Sequence, residues 1–193
     1  MERNSVEKTE IQVRLLAIVS SLMGLALLGV PLVATAQDEG RGVTSPPFYI
    51  DAAARFAIIF PVEPNLENID YATEDGSRFP AKHYSVVEGS NHYRLTYVDF
   101  STGPAADARI VEHAVNDWIG QGELIYQSDA EYEPGVESRQ LMVSRGDGNE
   151  IQASAYMWDH RLILTEAIGP PGTPSLLRFA QSLTLLTPDG GVM

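Results

Sequence analysis

Residues 81–99 (AKHYSVVEGSNHYRLTYVD) decide the fold that the sequence predicts. Two alternating segments, Ala81–Val87 and His92–Asp99, flank the loop 88–91 (EGSN), whose residues favour tight turns. A hairpin closed by this loop places Val87 opposite His92. The period of two then separates an apolar face from a polar face. The apolar face carries Tyr84, Val86, Tyr93, Leu95 and Tyr97, and the polar face carries His83, Ser85, His92, Arg94 and Thr96.

Further strands are predicted on both sides of this hairpin. Before it, 55–60 (RFAIIF) is a short buried strand that Pro61 ends, and 68–73 is a weaker strand. After it, strands are predicted at 123–127, 139–144, 150–158 and 161–167. Because short loops such as RGDGN (145–149) join most of these strands, we expect a mainly antiparallel sheet.

Two amphipathic segments predict helices. Within 104–119, the apolar residues from Ile110 to Ile119 recur at helical spacing and form one stripe. The second helix follows the capping residue Thr173, with Pro174 in its first turn. Its predicted buried stripe is Leu176, Leu177, Ala180 and Leu183. Because each helix has one apolar face, we expect the helices to cover the sheet faces in an α+β sandwich.

Two terminal motifs of this region resemble those of PsbP-like domains. Residues 56–64 (FAIIFPVEP) resemble the F-x-I-x-F-P-x-x-P opening of that family. Residues 178–183 (RFAQSL) resemble its closing R-F-x-x-S-F helix, with Leu183 where Phe is usual. The resemblance covers about 48–186 and implies a three-layer α/β/α sandwich around a mainly antiparallel central sheet. The family includes the extrinsic subunit of photosystem II and many exported bacterial proteins, but the resemblance carries over no functional residue.

The segment before this region predicts export. Residues 15–36 are uncharged and apolar, and Ala34-Thr35-Ala36 supplies the small residues of a cleavage site. We therefore expect a signal peptide at 1–36 and a mature chain in the periplasm or outside the cell. The alternative is a single N-terminal membrane anchor, because the charges of 1–14 cancel and the apolar run is long enough to span a bilayer. The remaining divisions are a flexible lead-in (37–47), a single domain (48–186) and a tail (187–193).

Composition excludes several classes of chemistry and partner. The 193 residues contain no cysteine, so disulfides, cysteine metal sites, thiol nucleophiles and a lipid-modified cysteine are excluded. The formal net charge is −13. Because nucleic acids and anionic membrane surfaces repel such a protein, we expect neither as a partner. A cationic partner or a cation remains open.

The residues that suggest chemistry also have simpler structural explanations. His83 and His92 lie at opposite ends of one hairpin face, His113 adjoins the helix stripe and His160 lies in a turn. The acidic cluster Asp129, Glu131, Glu133 and Glu137 lacks the spacing of a known calcium loop. Arg145-Gly146-Asp147 copies an adhesion tripeptide on a predicted hairpin tip. We assign no catalytic, cofactor-binding or metal-binding residue.

The sequence as a whole predicts an exported, non-catalytic accessory or binding domain without a cofactor, whose partner is a protein or an envelope component. This prediction rests on a complete fold signature and on the absence of catalytic motifs such as G-x-S-x-G and H-E-x-x-H. Two alternatives stay open. One is an extracytoplasmic hydrolase that uses His160 or His83 with nearby carboxylates, which requires a perturbed histidine in a cleft. The other is a calcium-responsive module.

Overall fold

The computed structural model describes residues 48–101, 108–129 and 135–193, so the predicted signal peptide and lead-in lie outside the described residues. The strands are β1 (Phe48–Asp51), β2 (Phe56–Ile59), β3 (Asn65–Ala72), β4 (Arg78–Glu88), β5 (Asn91–Asp99), β6 (Gly122–Ser128), β7 (Glu137–Arg145), β8 (Glu150–Trp158), β9 (Arg161–Gly169) and β10 (Thr184–Leu185). The helices are α1 (Ala108–Ile119) and α2 (Pro174–Ala180). Neither helix combines the length and the apolar character that a bilayer crossing requires, among the residues described.

Seven strands form one antiparallel sheet in the order β3-β4-β5-β9-β8-β7-β6, and β1, β2 and β10 form a second sheet. The predicted hairpin register is confirmed, because Val87 pairs with His92 across β4 and β5. The turn between β8 and β9 consists of Asp159 and His160, with φ angles of 45° and 59°. Both angles lie in the left-handed region that two-residue hairpin turns with the twist of the strands require.

Each face of the seven-stranded sheet has its own core. The face named here the small-sheet face packs against β1, β2, β10 and α2, and it contains the five apolar residues predicted for the hairpin. The opposite face, named the α1 face, packs against the buried side of α1, where Val111, Ala114, Val115 and Trp118 lie. The apolar residues of the hairpin are therefore buried in packing, as their alternation predicted.

The predicted three-layer α/β/α sandwich is wrong. Strands make up 55% and helices 14% of the residues that the structure describes, so the fold is mostly β. One face of the large sheet is covered chiefly by the three-stranded sheet, in which β2 pairs with both β1 and β10. The prediction failed because β1 and β10 are only four and two residues long, too short to show a strand pattern.

The second helix is also shorter and oriented differently from the prediction. Leu177 is exposed, and Phe179 instead joins Leu176 and Ala180 on the buried side. The Thr173 hydroxyl donates to the Pro170 carbonyl and does not cap the helix. After α2, the chain turns back at residues 187–191, and the Met193 amide donates to the Leu185 carbonyl at 3.0 Å.

Candidate functional site

A cleft of about 290 Å³, named here the α1 cleft, lies on the α1 face between α1 and strands β3, β4, β5 and β9. Alternation brings its sheet residues to one face, and the last turn of α1 supplies the opposite wall. Its polar lining residues are His83, Arg94, Thr96, Asp117, Gln121 and Glu166. Its other lining residues are Ile69, Tyr71, Ala114, Trp118 and Leu164.

A carboxylate joins the sheet to the helix inside this cleft. Arg94 and Glu166 are direct cross-strand partners on β5 and β9, and the Arg94 guanidinium donates to Glu166 Oε1 at 2.8 Å. The indole N–H of Trp118 donates to Glu166 Oε2 at 2.9 Å. The Glu166 side chain is 13% exposed and that of Arg94 is 44% exposed. Glu166 therefore holds the helix and orients a guanidinium that solvent or a ligand can reach.

His83 lies beside a hydroxyl in the same cleft. Its Nδ1 shares a hydrogen bond of 3.1 Å with Oγ1 of Thr96, its cross-strand partner on β5. Burial and, secondly, the charge of Arg94 lower the pKa of His83, although Glu67 and Glu166 act in the opposite direction. The imidazole is therefore uncharged at neutral pH.

Tyr71 contributes a hydroxyl to the same cleft. The oxygen is buried and has no hydrogen-bond partner within the part of the chain that the structure describes. Burial and, secondly, the nearby charge of Asp117 raise the pKa of Tyr71 to about 12. A buried hydroxyl without a partner is unfavourable, so a movement of the ring that brings this oxygen to a ligand recovers part of that free energy.

A second cleft, of about 470 Å³, involves β3, β4 and β5, with polar residues that point to the small-sheet face. Three of its five polar lining residues, Lys82, Tyr97 and Asp99, make contacts within the chain. The Lys82 ammonium donates to Asp51 at 3.0 Å, and the Tyr97 hydroxyl lies 3.4 Å from Asp99. The α1 cleft is the better candidate because it combines an oriented ion pair, an uncharged imidazole and a hydroxyl that has no partner in the described part of the chain.

The other histidines of the sequence analysis form no comparable arrangement. His160 is exposed in its turn, and the carboxylate of its neighbour Asp159 is ion-paired with Arg55 at 2.7 Å and with Arg161. His113 lies 3.8 Å from Asp117, one turn along α1. His92 lies at the hairpin end, opposite Val87. The structure therefore brings only His83 into the α1 cleft.

Local ion pairs engage Asp129 of the acidic cluster and both charged residues of the tripeptide. Asp129 pairs with Arg139 at 3.1 Å, whereas Glu131 and Glu133 lie outside the described residues. Arg145 and Asp147 pair with each other at 3.3 Å. Within 48–101, 108–129 and 135–193, no three acidic or histidine side chains are grouped so that they can hold a metal ion.

Most of the tyrosines in the predicted strands from 81 to 158 are buried. Tyr84, Tyr93, Tyr97 and Tyr156 belong to the core of the small-sheet face, and Tyr97 also borders the second cleft. Tyr126 is the exception, because it is 53% exposed on β6.

The sequence analysis did not select Arg94, Glu166, Trp118 or Tyr71 for function. The signal that was missing is the pairing of β5 with β9, which places Arg94 beside Glu166. The helical stripe already directed Trp118 toward the sheet, but it did not show which sheet residue the indole contacts.

Comparison with models of known protein families gives no match, and comparison with curated protein sequences gives none either. These comparisons leave the resemblance to PsbP-like domains as a prediction. The function is therefore inferred from the geometry of the α1 cleft.

Proposed function

We propose that this chain is an exported, non-catalytic binding domain that receives its ligand in the α1 cleft. The observation that carries the proposal is the convergence of three features in one cleft: the Arg94–Glu166 ion pair, the uncharged imidazole of His83, and the Tyr71 hydroxyl, which has no partner among the described residues. Ligand sites combine an apolar lining with a few oriented polar groups in this way.

Four polar side chains of the cleft, those of Arg94, Glu166, His83 and Thr96, are held in place before any ligand binds. Glu166 bonds both Arg94 and Trp118, and Thr96 bonds His83. Because these side chains are already ordered, binding costs less conformational entropy than it does at a loose surface. The volume of about 290 Å³ lies at the lower end for ligand clefts, so it suits a small molecule or one side chain of a larger partner.

The export part of the proposal is tested by the mass and location of the natural protein. Cleavage after Ala36 gives a chain that begins at Gln37 in the extracytoplasmic fraction, measured by intact-mass spectrometry and N-terminal sequencing. The full-length chain in the membrane fraction would support the anchor alternative instead. The full-length chain in the cytosol would contradict export altogether.

The binding part is tested through Trp118, one of two tryptophans in the chain. Trp158 lies in the opposite core, so Trp158→Phe leaves Trp118 as the fluorescent reporter of the cleft. We expect a panel of small amines, carboxylic acids and sugars to contain at least one saturable ligand. Thr96→Phe fills the cleft and should abolish the response, whereas Ser144→Phe, exposed on β7, should not. An unresponsive panel, or an equal response in Thr96→Phe, refutes the proposal.

The contact between His83 and Thr96 favours one second candidate, a hydrolase. An uncharged imidazole that bonds a hydroxyl can act as a general base for nucleophilic attack on an ester. The described contacts include no third group that orients the imidazole. Glu67 acts on His83 through its charge alone, and its carboxylate accepts a hydrogen bond from Asn65 at 3.1 Å. Hydrolysis of a chromogenic acetate ester that His83→Gln and Thr96→Val each abolish supports the hydrolase. Turnover that these variants do not change supports the binding domain.

A further inference from the structure

We infer that the group held in the α1 cleft is a primary ammonium on a short apolar stem, carried by a free amine or by a lysine side chain of a protein partner. This inference rests on the proposed function, because it names the ligand of the same cleft. Charge, hydrogen-bonding capacity and lining each support it.

The charge that remains in the cleft is negative. Arg94 and Glu166 offset one another at 2.8 Å, and His83 is uncharged at neutral pH. The Asp117 carboxylate is 69% exposed, and the ion-pair partner described for it is His113, at the long distance of 3.8 Å. An anionic ligand is repelled by this carboxylate and by the net charge of −13 on the chain. A cationic ligand is attracted by the same two charges.

The hydrogen-bonding groups of the cleft also suit an ammonium. An ammonium has three donors and no acceptor, so it needs oxygen atoms or a nitrogen lone pair around it. Asp117 offers carboxylate oxygens, and Tyr71 offers a phenol oxygen that has no partner among the described residues. Uncharged His83 accepts at Nε2 in the tautomer whose Nδ1 proton is donated to Thr96. The charge of Asp117 acts on the Tyr71 hydroxyl, and both residues line the same cleft.

The apolar part of the lining explains the stem. Ile69, Ala114 and Leu164 line the same cleft as these polar groups. A chain of about four methylene groups gains free energy by packing against them. A lysine side chain and n-butylamine both have this form, an apolar stem with a terminal ammonium.

The experiment compares three small probes of nearly equal size on the full chain carrying Trp158→Phe: n-butylamine, n-butyramide and n-butyrate. Trp118 fluorescence at low salt reports binding. We expect n-butylamine to bind at least about tenfold more tightly than the other two, a difference of about 1.4 kcal/mol. Nα-acetyl-lysine methylamide that binds more tightly than n-butylamine indicates a protein partner, and the reverse order indicates a free amine.

A matched pair of charge variants tests whether n-butylamine binds in the α1 cleft. Asp117→Asn should weaken n-butylamine about fivefold, in the range of one partly exposed charge pair. Glu88→Gln removes the same charge from the exposed tip of the β4–β5 hairpin and should leave the affinity unchanged.

The two proposals fail by different results. Equal or tighter binding of n-butyramide or n-butyrate, lost in Thr96→Phe, overturns the ammonium inference and leaves the binding function intact. An equal loss of n-butylamine affinity in Asp117→Asn and Glu88→Gln also overturns the inference, because the attraction then comes from net charge alone. Absence of n-butylamine binding overturns it as well, while the wider panel described above decides the binding function.

Discussion

The contact between Trp118 and Glu166 should contribute about 2 kcal/mol to the stability of the fold. The indole N–H lies 2.9 Å from a carboxylate oxygen, and Trp118 is 6% exposed. A hydrogen bond to a charged group contributes about 1.5–3 kcal/mol, and the low exposure of both residues keeps water from replacing it. The perturbation is Trp118→Phe, which removes the donor and keeps an aromatic ring in the core of the α1 face.

A double-mutant cycle separates this bond from the loss of packing. Trp118→Phe, Glu166→Leu and the double variant are unfolded in urea and followed by far-ultraviolet circular dichroism. The loss of the Arg94 pair occurs in both variants that lack Glu166, so it cancels in the cycle. We expect a coupling energy of about 2 kcal/mol between the two positions. A coupling energy below about 0.5 kcal/mol would refute the reasoning, because the helix would then be held by apolar packing alone.

Three further predictions follow from the structure. Gly122→Ala should destabilise the fold by about 1–3 kcal/mol, because the added Cβ would lie 2.1 Å from a main-chain carbonyl oxygen of β7. The control Gly146→Ala adds a Cβ in open space, so it should change the midpoint of urea unfolding little. Tyr84→Phe should lower the free energy of unfolding by about 1.5–3 kcal/mol, because the Tyr84 hydroxyl donates to Asp51 at 2.6 Å. Tyr71→Phe should lower it by no measurable amount, because the Tyr71 hydroxyl has no partner among the described residues, and equal losses of the two variants in urea unfolding would contradict this. Burial alone would raise the pKa of Asp51, but hydrogen bonds from Tyr84, the Ala54 amide and Lys82 outweigh it and lower the pKa below 3.8. The resulting stability is present above the pKa of the unfolded chain and is lost as pH falls below about 4, so Asp51→Asn should flatten the acid limb of stability against pH.

The candidate site was only partly predictable from the sequence. Alternation across residues 81–99 placed His83, Arg94 and Thr96 on one face, and the structure confirms that face, because a short turn transmits register from β4 to β5. Glu166 lay in a predicted strand, but alternation does not tell that this strand, β9, pairs with β5. The cleft exists because β9 pairs with β5 and because α1 packs across the same face.

The sequence by itself determined the local elements of this protein, since each alternating or helical stripe commits one side of a segment to burial whatever lies beyond it. The register of the β4–β5 hairpin and the buried stripe of α1 belong to this class. Only the tertiary structure decided what covers each face of the large sheet. β1 and β10 are too short to be stable or recognisable alone, and they form by pairing with β2 on the small-sheet face, where burial against the aromatic core stabilises all three strands. Such pairing depends on apolar surface that distant parts of the chain supply. The local periodicity of a segment gives no information about that surface.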